Sequence, residues 1–286
     1  PAGLSCATVA AERGHDVTLF DQAGEIGGQF NMAKVIPGKE EFHNTIRYFG
    51  KRIENTGVTL KLNTRVEVAD LQAQGFDEIV IATGVLPRTP GIPGIDHPKV
   101  LSYVDVLRGK AQVGEKVAVI GAGGIGFDVS EFLAEHPREG EQPLPEWMKE
   151  WGVDMNSDAP GGLVEPDVEK PARQITLLQR KPTSLGKDLG KTSGWVHRAT
   201  LKSRNVEMLK GCSYEKIDDA GLHIKIGEES RVLDVDHVVI CAGQESLREL
   251  YQEDAKNFHL IGGADLAAEL DAKRAIRQGA EVAAAL

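Results

Sequence analysis

Short β-rich apolar runs alternate along this chain with longer stretches of helical periodicity, and glycine turns divide them. Pro1 to Arg13 predicts a helix that opens at a proline, a residue suited to a first helical turn, and closes at Gly14. Val17 to Phe20 follows as a strand closed by Asp21, and Gly24 to Gln29 is a glycine-rich loop. A helical stretch around Glu40 to Thr56 leads to strands at Val58 to Leu62 and near Arg65 and Val66. Glu78 to Gly84 predicts an apolar strand ending in a glycine turn, and the proline- and glycine-rich run from Pro87 to Pro98 predicts a linker.

The pattern then restarts. Lys116 to Ile120 predicts a strand, Gly121 to Gly126 a glycine turn, and Phe127 to Glu135 a helix. Residues 136–173 form an irregular insertion, with Trp147 and Trp151 spaced as on one face of a helix that would pack against another domain. Gln174 to Leu178 resumes the sheet, and Val206 to Leu209, a hairpin near Asp219 to Gly221, and His237 to Gly243 complete the unit. Phe258 to Ile261 runs into Gly262 to Asp265 and an alanine-rich helix to the C-terminus. Strand–turn–helix alternation at this spacing predicts an α/β fold with two Rossmann-like dinucleotide-binding domains. The second is expected inside the first, because the tail from Phe258 has no sheet of its own to join. The expected boundaries are 1–108 and 245–286 for the first domain and 109–244 for the second.

Composition narrows the function classes. A chain of 286 residues suits two domains, and 41% hydrophobic with 27% charged residues excludes a disordered chain. The net charge of −10 argues against nucleic acid and anionic membranes as partners. There is no apolar run of roughly 18–20 residues to span a bilayer and no signal-peptide pattern. Cys6, Cys212 and Cys241 are too few and too scattered for a disulfide framework or a metal site, which suits a reducing cytoplasm.

Gly121-Ala-Gly123-Gly-Ile-Gly126 fits Gly-x-Gly-x-x-Gly between an apolar strand and a helix. The glycines permit a tight turn, backbone contact with a pyrophosphate and close helix–strand packing, and the helix N-terminus favours the anion. At the end of the next strand stand Arg180 and Lys181, where an NAD-binding unit carries an acid for the ribose 2′-hydroxyl. Cations there accommodate a 2′-phosphate, so the reading is NADPH over NADH; the alternative is a solvated basic pair. The insertion must loop out, because Arg180 lies well beyond the compact spacing of about 20–30 residues.

Pro1-Ala-Gly3 looks like the last half of a second such turn, Gly-x-Gly-Pro-Ala-Gly, without its strand and first two glycines. Counted from that turn, Asp21 ends the next strand near the expected spacing of about 20 residues, where it would hold an adenosine ribose. The alternative is a helix that happens to open at a proline, followed by a surface aspartate. The first strand of such a unit lies mid-sheet, so its absence would leave an apolar slot, and the chain is expected to be the C-terminal part of a longer polypeptide.

With Gly27-Gly-Gln29, Ala82-Thr-Gly84, Cys241-Ala-Gly243 and Gly263-Ala-Asp265 in the same order, the chain resembles the flavoprotein reductases with two dinucleotide-binding domains. Gly190-Lys-Thr-Ser-Gly-Trp-Val-His-Arg198 and the insertion resemble, within them, the bacterial NADPH-dependent 2,4-dienoyl-CoA reductases, relatives of trimethylamine dehydrogenase and the multidomain old-yellow-enzyme flavoproteins. The resemblance covers essentially the whole chain. It implies FAD in the first domain, near Gly3, Asp21, Gly28, Gln29, Ala82, Gly84, Gly263 and Asp265, with Asp265 opening the last helix and reaching a ribityl hydroxyl. It implies NADPH in the second, near Gly121, Gly123, Gly126, Arg180, Lys181 and Arg198. Lys187, Lys191, Trp195 and His197 match the same side, where the cations would help fix phosphate or else serve structure alone.

The family's whole enzyme carries an N-terminal (β/α)8 barrel with FMN, a 4Fe–4S cluster and the acid that protonates the dienoyl thioester. The resemblance therefore makes that barrel, on the same polypeptide, the partner of this chain, and unsaturated fatty acid β-oxidation the setting. Hydride transfer to a flavin needs no side-chain acid, so no catalytic residue and no metal ligand are expected here. His237, at the start of a buried strand, is read as structural, and Cys241 as a small buried hydrophobe. A thioredoxin-reductase reading requires Cys-x-x-Cys, which the chain lacks. Two other readings stay open: the NADPH-input module of another flavoprotein complex, similar to the small subunit of glutamate synthase, and a non-catalytic NADPH-binding module.

Overall fold

A computed structural model describes residues 1–138, 140, 142–267 and 271–286. Along the first third of the chain run α1 (Ala2–Glu12), β1 (Thr18–Phe20), α2 (Phe30–Ala33), α3 (Phe42–Thr56), β2 (Thr59–Lys61), α4 (Val68–Ala73), β3 (Ile79–Ile81), β4 (Val85–Pro87) and β5 (Val100–Ser102). The middle holds α5 (Tyr103–Leu107), β6 (Lys116–Ile120), α6 (Gly124–Ala134), α7 (Leu144–Glu150), β7 (Gln174–Leu178), α8 (Gly194–Ser203) and β8 (Glu207–Leu209). After them come β9 (Cys212–Asp218), β10 (Gly221–Ile226), β11 (Glu229–Leu233), β12 (His237–Ile240), β13 (Gln244–Ser246), β14 (Phe258–Leu260) and α9 (Ala272–Ala285). By backbone packing the chain forms two units, one of residues 1–34, 39–88 and 244–286, the other of residues 35–38 and 89–243.

In the second unit, β6 is apolar at four successive positions and therefore suits a sheet covered on both faces. It is the middle strand of a five-stranded sheet of order β5-β12-β6-β7-β8, parallel throughout. An antiparallel sheet of order β11-β10-β9 supplies Ile217, Leu222, Ile224 and Leu233, which pack on Ala118, Ile120, Val238 and Ile240. This is an α/β fold with a Rossmann-like parallel sheet.

The first unit contains two parallel pairs, β1–β2 and β3–β14, and an antiparallel pair, β4–β13. Small side chains bring α1 against α9: Ala2, Cys6 and Ala10 cluster with Ala275, Val282 and Ala283. Gly279 of α9 sits on the Ala2 carbonyl, where a Cβ would collide. The tail strand pairs within this unit, Phe258, His259 and Leu260 running parallel to Ile79, Val80 and Ile81.

Several expectations need correction. Residues 89–108 belong to the second unit, because Val100–Ser102 pairs with β12; this short strand stands just after the proline-rich run and carries no pattern of its own. Arg65 and Val66 are not a strand; the chain turns there into α4, whose capping box joins Glu67 and Asp70. α6 starts at Gly124, three residues before the expected start at Phe127, so that three glycines lie in or against its first turn. The insertion contains α7 and a bridge between Val153 and Leu163, and its Trp151 ring meets those of Trp147 and Trp195 at centroid distances of 6.1 and 6.5 Å.

Arg204 at the end of α8 ties the insertion down. Only 2% exposed, it donates to Glu150 Oε1 at 2.7 Å and to the Glu169 carbonyl at 3.1 Å, and it lies 3.9 Å from Glu135. Burial raises the Glu135 carboxyl above its ordinary range, against the pull of Arg204. Removing the cation leaves largely buried carboxylates without it, so Arg204→Ala is expected to destabilise the protein by about 3–5 kcal/mol, read as a lower urea midpoint.

Candidate functional site

Residues 121–126 join β6 to α6 at the C-terminal edge of the parallel sheet. The Gly121 amide donates to the Leu178 carbonyl of β7 at 2.8 Å, and Gly121 has φ of +111°. A Cβ on Gly121 would strike the Cys241 carbonyl after β12, and one on Gly126 would strike the Gly121 carbonyl. Both positions are thus closed to any side chain, whereas at Gly123, which precedes α6, nothing lies within 4 Å of an added Cβ. The open side of the turn faces the first-turn N–H groups of α6, which have no carbonyl one turn back and suit an anion.

Arg180 and Lys181 lie two and three residues past the end of β7, and both are exposed. The Gln179 side chain donates to the carbonyls of Lys181 and Thr183 at 3.0 and 2.5 Å and so shapes the turn that carries them. Lys181 Nζ lies 4.0 Å from Asp188, and Arg180 is near enough to Tyr214 to offset part of the rise that burial imposes on its hydroxyl. The cations anticipated for a 2′-phosphate therefore stand just beyond the strand that adjoins the glycine turn. Lys187 and Lys191 are exposed, and so is Trp195. Arg198 has another occupation: its Nη1 donates to the Gly186 carbonyl at 2.9 Å.

In the first unit, Gly3 lies in the first turn of α1, where a Cβ would press on Ala82 at 3.1 Å. Asp21 follows β1, and its Oδ1 accepts from the Ala23 amide at 2.9 Å. Gly28 and Gln29 precede α2. Gly84 follows β3 and touches Gly263. Asp265 does not open the last helix. It lies in the preceding turn, and Asp271 caps α9 by accepting from the Lys273 amide. Gln278 of α9 instead donates to Asp265 Oδ2 at 2.7 Å and accepts from the Gly262 amide at 2.8 Å. Ser246 and Arg248 donate to the carbonyls of Gly263 and Ala264, both at 2.7 Å. Gln278, Ser246 and Arg248 carry no motif that would single them out in the sequence; they matter because α9, the end of β13 and the residues just after it converge on one turn.

The remaining reactive groups are quiet. Cys6, Cys212 and Cys241 are buried; burial pushes the Cys6 thiol up to about 11, and burial, reinforced by the Asp128 charge, raises that of Cys241. The three thiols fit neither a redox pair nor an iron–sulfur cluster. His237 is structural, its Nδ1 accepting from the Gly114 amide at 3.0 Å. Asp128, Glu131 and His197 bring three possible ligand atoms within 4.8 Å of one another, a cluster able to accept a cation. Among the described residues, no helix is long and apolar enough to cross a membrane.

A glycine turn closed by backbone, set between two strands of a parallel sheet, defines a dinucleotide-binding protein of the Rossmann class. The family model for pyridine nucleotide-disulphide oxidoreductases matches residues 1–266, and the chain belongs to that family. A metal reductase of Desulforamulus reducens is 29% identical over 255 residues, 88% of this chain and 37% of that protein. Cinnamate reductase of Clostridium sporogenes is 28% identical over 267 residues, 92% of this chain and 35% of that protein. The chain thus spans little more than a third of the length of these relatives. The structure of a 2-naphthoyl-CoA reductase in complex with 2-naphthoyl-CoA aligns with a TM-score of 0.81 at 26% identity, over 100% of this chain and 38% of that one. Thioredoxin reductase of T. acidophilum shares the fold, with a TM-score of 0.67 at 16% identity over 100% and 94% of the two chains. The chain is accordingly a flavoprotein NAD(P)H oxidoreductase module, with FAD and NAD(P)H the cofactors expected of its family.

Two outcomes test this geometry. At pH 8 an aromatic disulfide reagent should leave all three thiols of the folded protein unmodified for minutes and titrate all three in urea. Asp21→Ala should lower the FAD content of purified protein, measured as the ratio of flavin to protein absorbance, with the thermal midpoint of the apoprotein nearly unchanged.

Proposed function

We propose that this chain is the electron-input part of an NADPH-dependent 2,4-dienoyl-CoA reductase, taking hydride from NADPH onto FAD. The observation that carries the reading is the exposed Arg180–Lys181 pair just after the strand beside the glycine turn, where an NADH-binding unit has an acid. The residues fit the groups they would hold. The glycine turn and the first turn of α6 receive the pyrophosphate of NADPH, and the basic pair receives its 2′-phosphate. The first turn of α1, the Asp21 carboxylate and the turn at 262–265 form the corresponding frame for FAD, with Gln278 orienting Asp265. FAD, when bound, supplies the hydride acceptor; this chain's side chains bind, orient and neutralise phosphate charge, and none is needed to move a proton.

The CoA-thioester substrate is supported by likeness to a reductase solved with 2-naphthoyl-CoA, and by the run from Gly190 to Arg198 with the preceding insertion. The acceptor beyond FAD is proposed to be an FMN and 4Fe–4S barrel of the same polypeptide, since the cysteines of this chain do not fit a cluster.

The test is optical. Protein purified with FAD should show a flavin spectrum that bleaches anaerobically on addition of NADPH; a colourless protein, or a flavin indifferent to NADPH, would overturn the reading. Replacing Arg180 and Lys181 together by alanine should raise KM for NADPH at least about tenfold, the loss of one or two charge-assisted bonds, with KM for NADH changed about twofold or less. The polypeptide carrying the barrel should consume a 2,4-dienoyl-CoA with NADPH, and failure to do so would leave an NADPH-input module serving another acceptor.

A further inference from the structure

Within the Asp128–Glu131–His197 cluster, one pair links α6 to α8. Glu131 is two turns into α6 and only 5% exposed, and its Oε1 is 2.8 Å from Nδ1 of His197 on α8. This charge-assisted contact is one tie between α8 and α6. The next residue, Arg198, grips the Gly186 carbonyl, and Gly186 is packed so tightly on the Phe127 ring that a Cβ there would stand 2.8 Å from it. Phe127 belongs to the first turns of α6, directly after Gly126. The connection between β7 and α8 is therefore clipped to the phosphate-binding end of α6, with Leu185 and Gly186 buried and Lys187 exposed immediately after them.

We propose that Glu131 and His197 are positioning residues for nucleotide selectivity. They hold α8 on α6, and α8, through Arg198 and Gly186, presents Lys187 to the 2′-phosphate of NADPH. The proposal rests on the reading of the second unit as an NADPH site. The physical logic is one of difference: NADPH and NADH share the pyrophosphate that the glycine turn receives and differ only in the 2′-phosphate. A residue that merely supports α6 affects both nucleotides alike, whereas one that places a cation for the 2′-phosphate affects only one.

The experiment is isothermal titration calorimetry of the purified 286-residue protein with NADP+ and with NAD+, which reads binding without turnover. His197→Ala and Glu131→Gln should each weaken NADP+ about tenfold, equivalent to one charge-assisted bond, and NAD+ by less than about twofold. His197→Asn, whose amide can donate in place of Nδ1–H, should recover most of the NADP+ affinity. Lys187→Ala should weaken NADP+ by a similar factor, and combining it with His197→Ala should add little, because both changes remove the same interaction. Equal weakening of both nucleotides, unchanged NADP+ affinity in the Glu131→Gln and His197→Ala variants, or full additivity with Lys187→Ala would overturn the proposal. Wild-type protein that does not prefer NADP+ would overturn the NADPH reading itself. A clear wild-type preference retained in the variants would overturn the positioning role alone.

Discussion

The carbonyl oxygen of Cys241 occupies the space where residue 121 would carry a side chain, and the carbonyl of Gly121 does the same at residue 126. These two contacts let β6 end against β12, turn sharply and start α6 close to the sheet. A methyl group at either place would push the helix off the sheet and move its first-turn N–H groups away from the segment after β7 that bears Arg180 and Lys181. The turn proposed to receive phosphate is therefore made of backbone, and the side chains proposed to add specificity stand in the segment after the neighbouring strand.

Elsewhere in the second unit the work of holding position falls to buried charge. Arg204 gathers Glu150, Glu135 and the Glu169 carbonyl, and Glu131 meets His197. Each is an ionisable group placed where water is scarce, tolerable only because a partner of complementary chemistry is within hydrogen-bond reach. Together they bind α6, α8 and the insertion into one frame around the sheet. The tryptophan contacts of the insertion with α8 follow the same frame, Trp151 lying between Trp147 and Trp195.

The first unit solves its packing with small residues. Alanines and a glycine let α1 and α9 approach closely, and the tail strand runs beside β3, so the last segment of the chain completes what the first segment began. The turn at 262–265 is held by hydrogen bonds from Ser246, Arg248 and Gln278 rather than by a helix start, which explains how Asp265 is oriented although α9 begins several residues later.

The amino-acid sequence by itself determined the elements that depend on local chemistry. The apolar run of β6 and the β-rich Ile-Thr-Leu-Leu of β7 set those strands residue for residue, the glycine spacing located the turn between β6 and α6, and the alternation of strands and helices defined the α/β class. The resemblance to the two-nucleotide flavoprotein reductases rested on the order of those same local motifs, and the pyridine nucleotide-disulphide oxidoreductase family model matches residues 1–266. Only the tertiary structure decided that Val100–Ser102 belongs beside β12, that Gln278 holds Asp265, that Arg198 serves a carbonyl, and that Glu131 finds His197. Turns and buried strands are written in neighbouring residues, because sterics and burial act over a few positions. Pairings between groups tens of residues apart carry no local mark and exist only once the backbone path has brought them together.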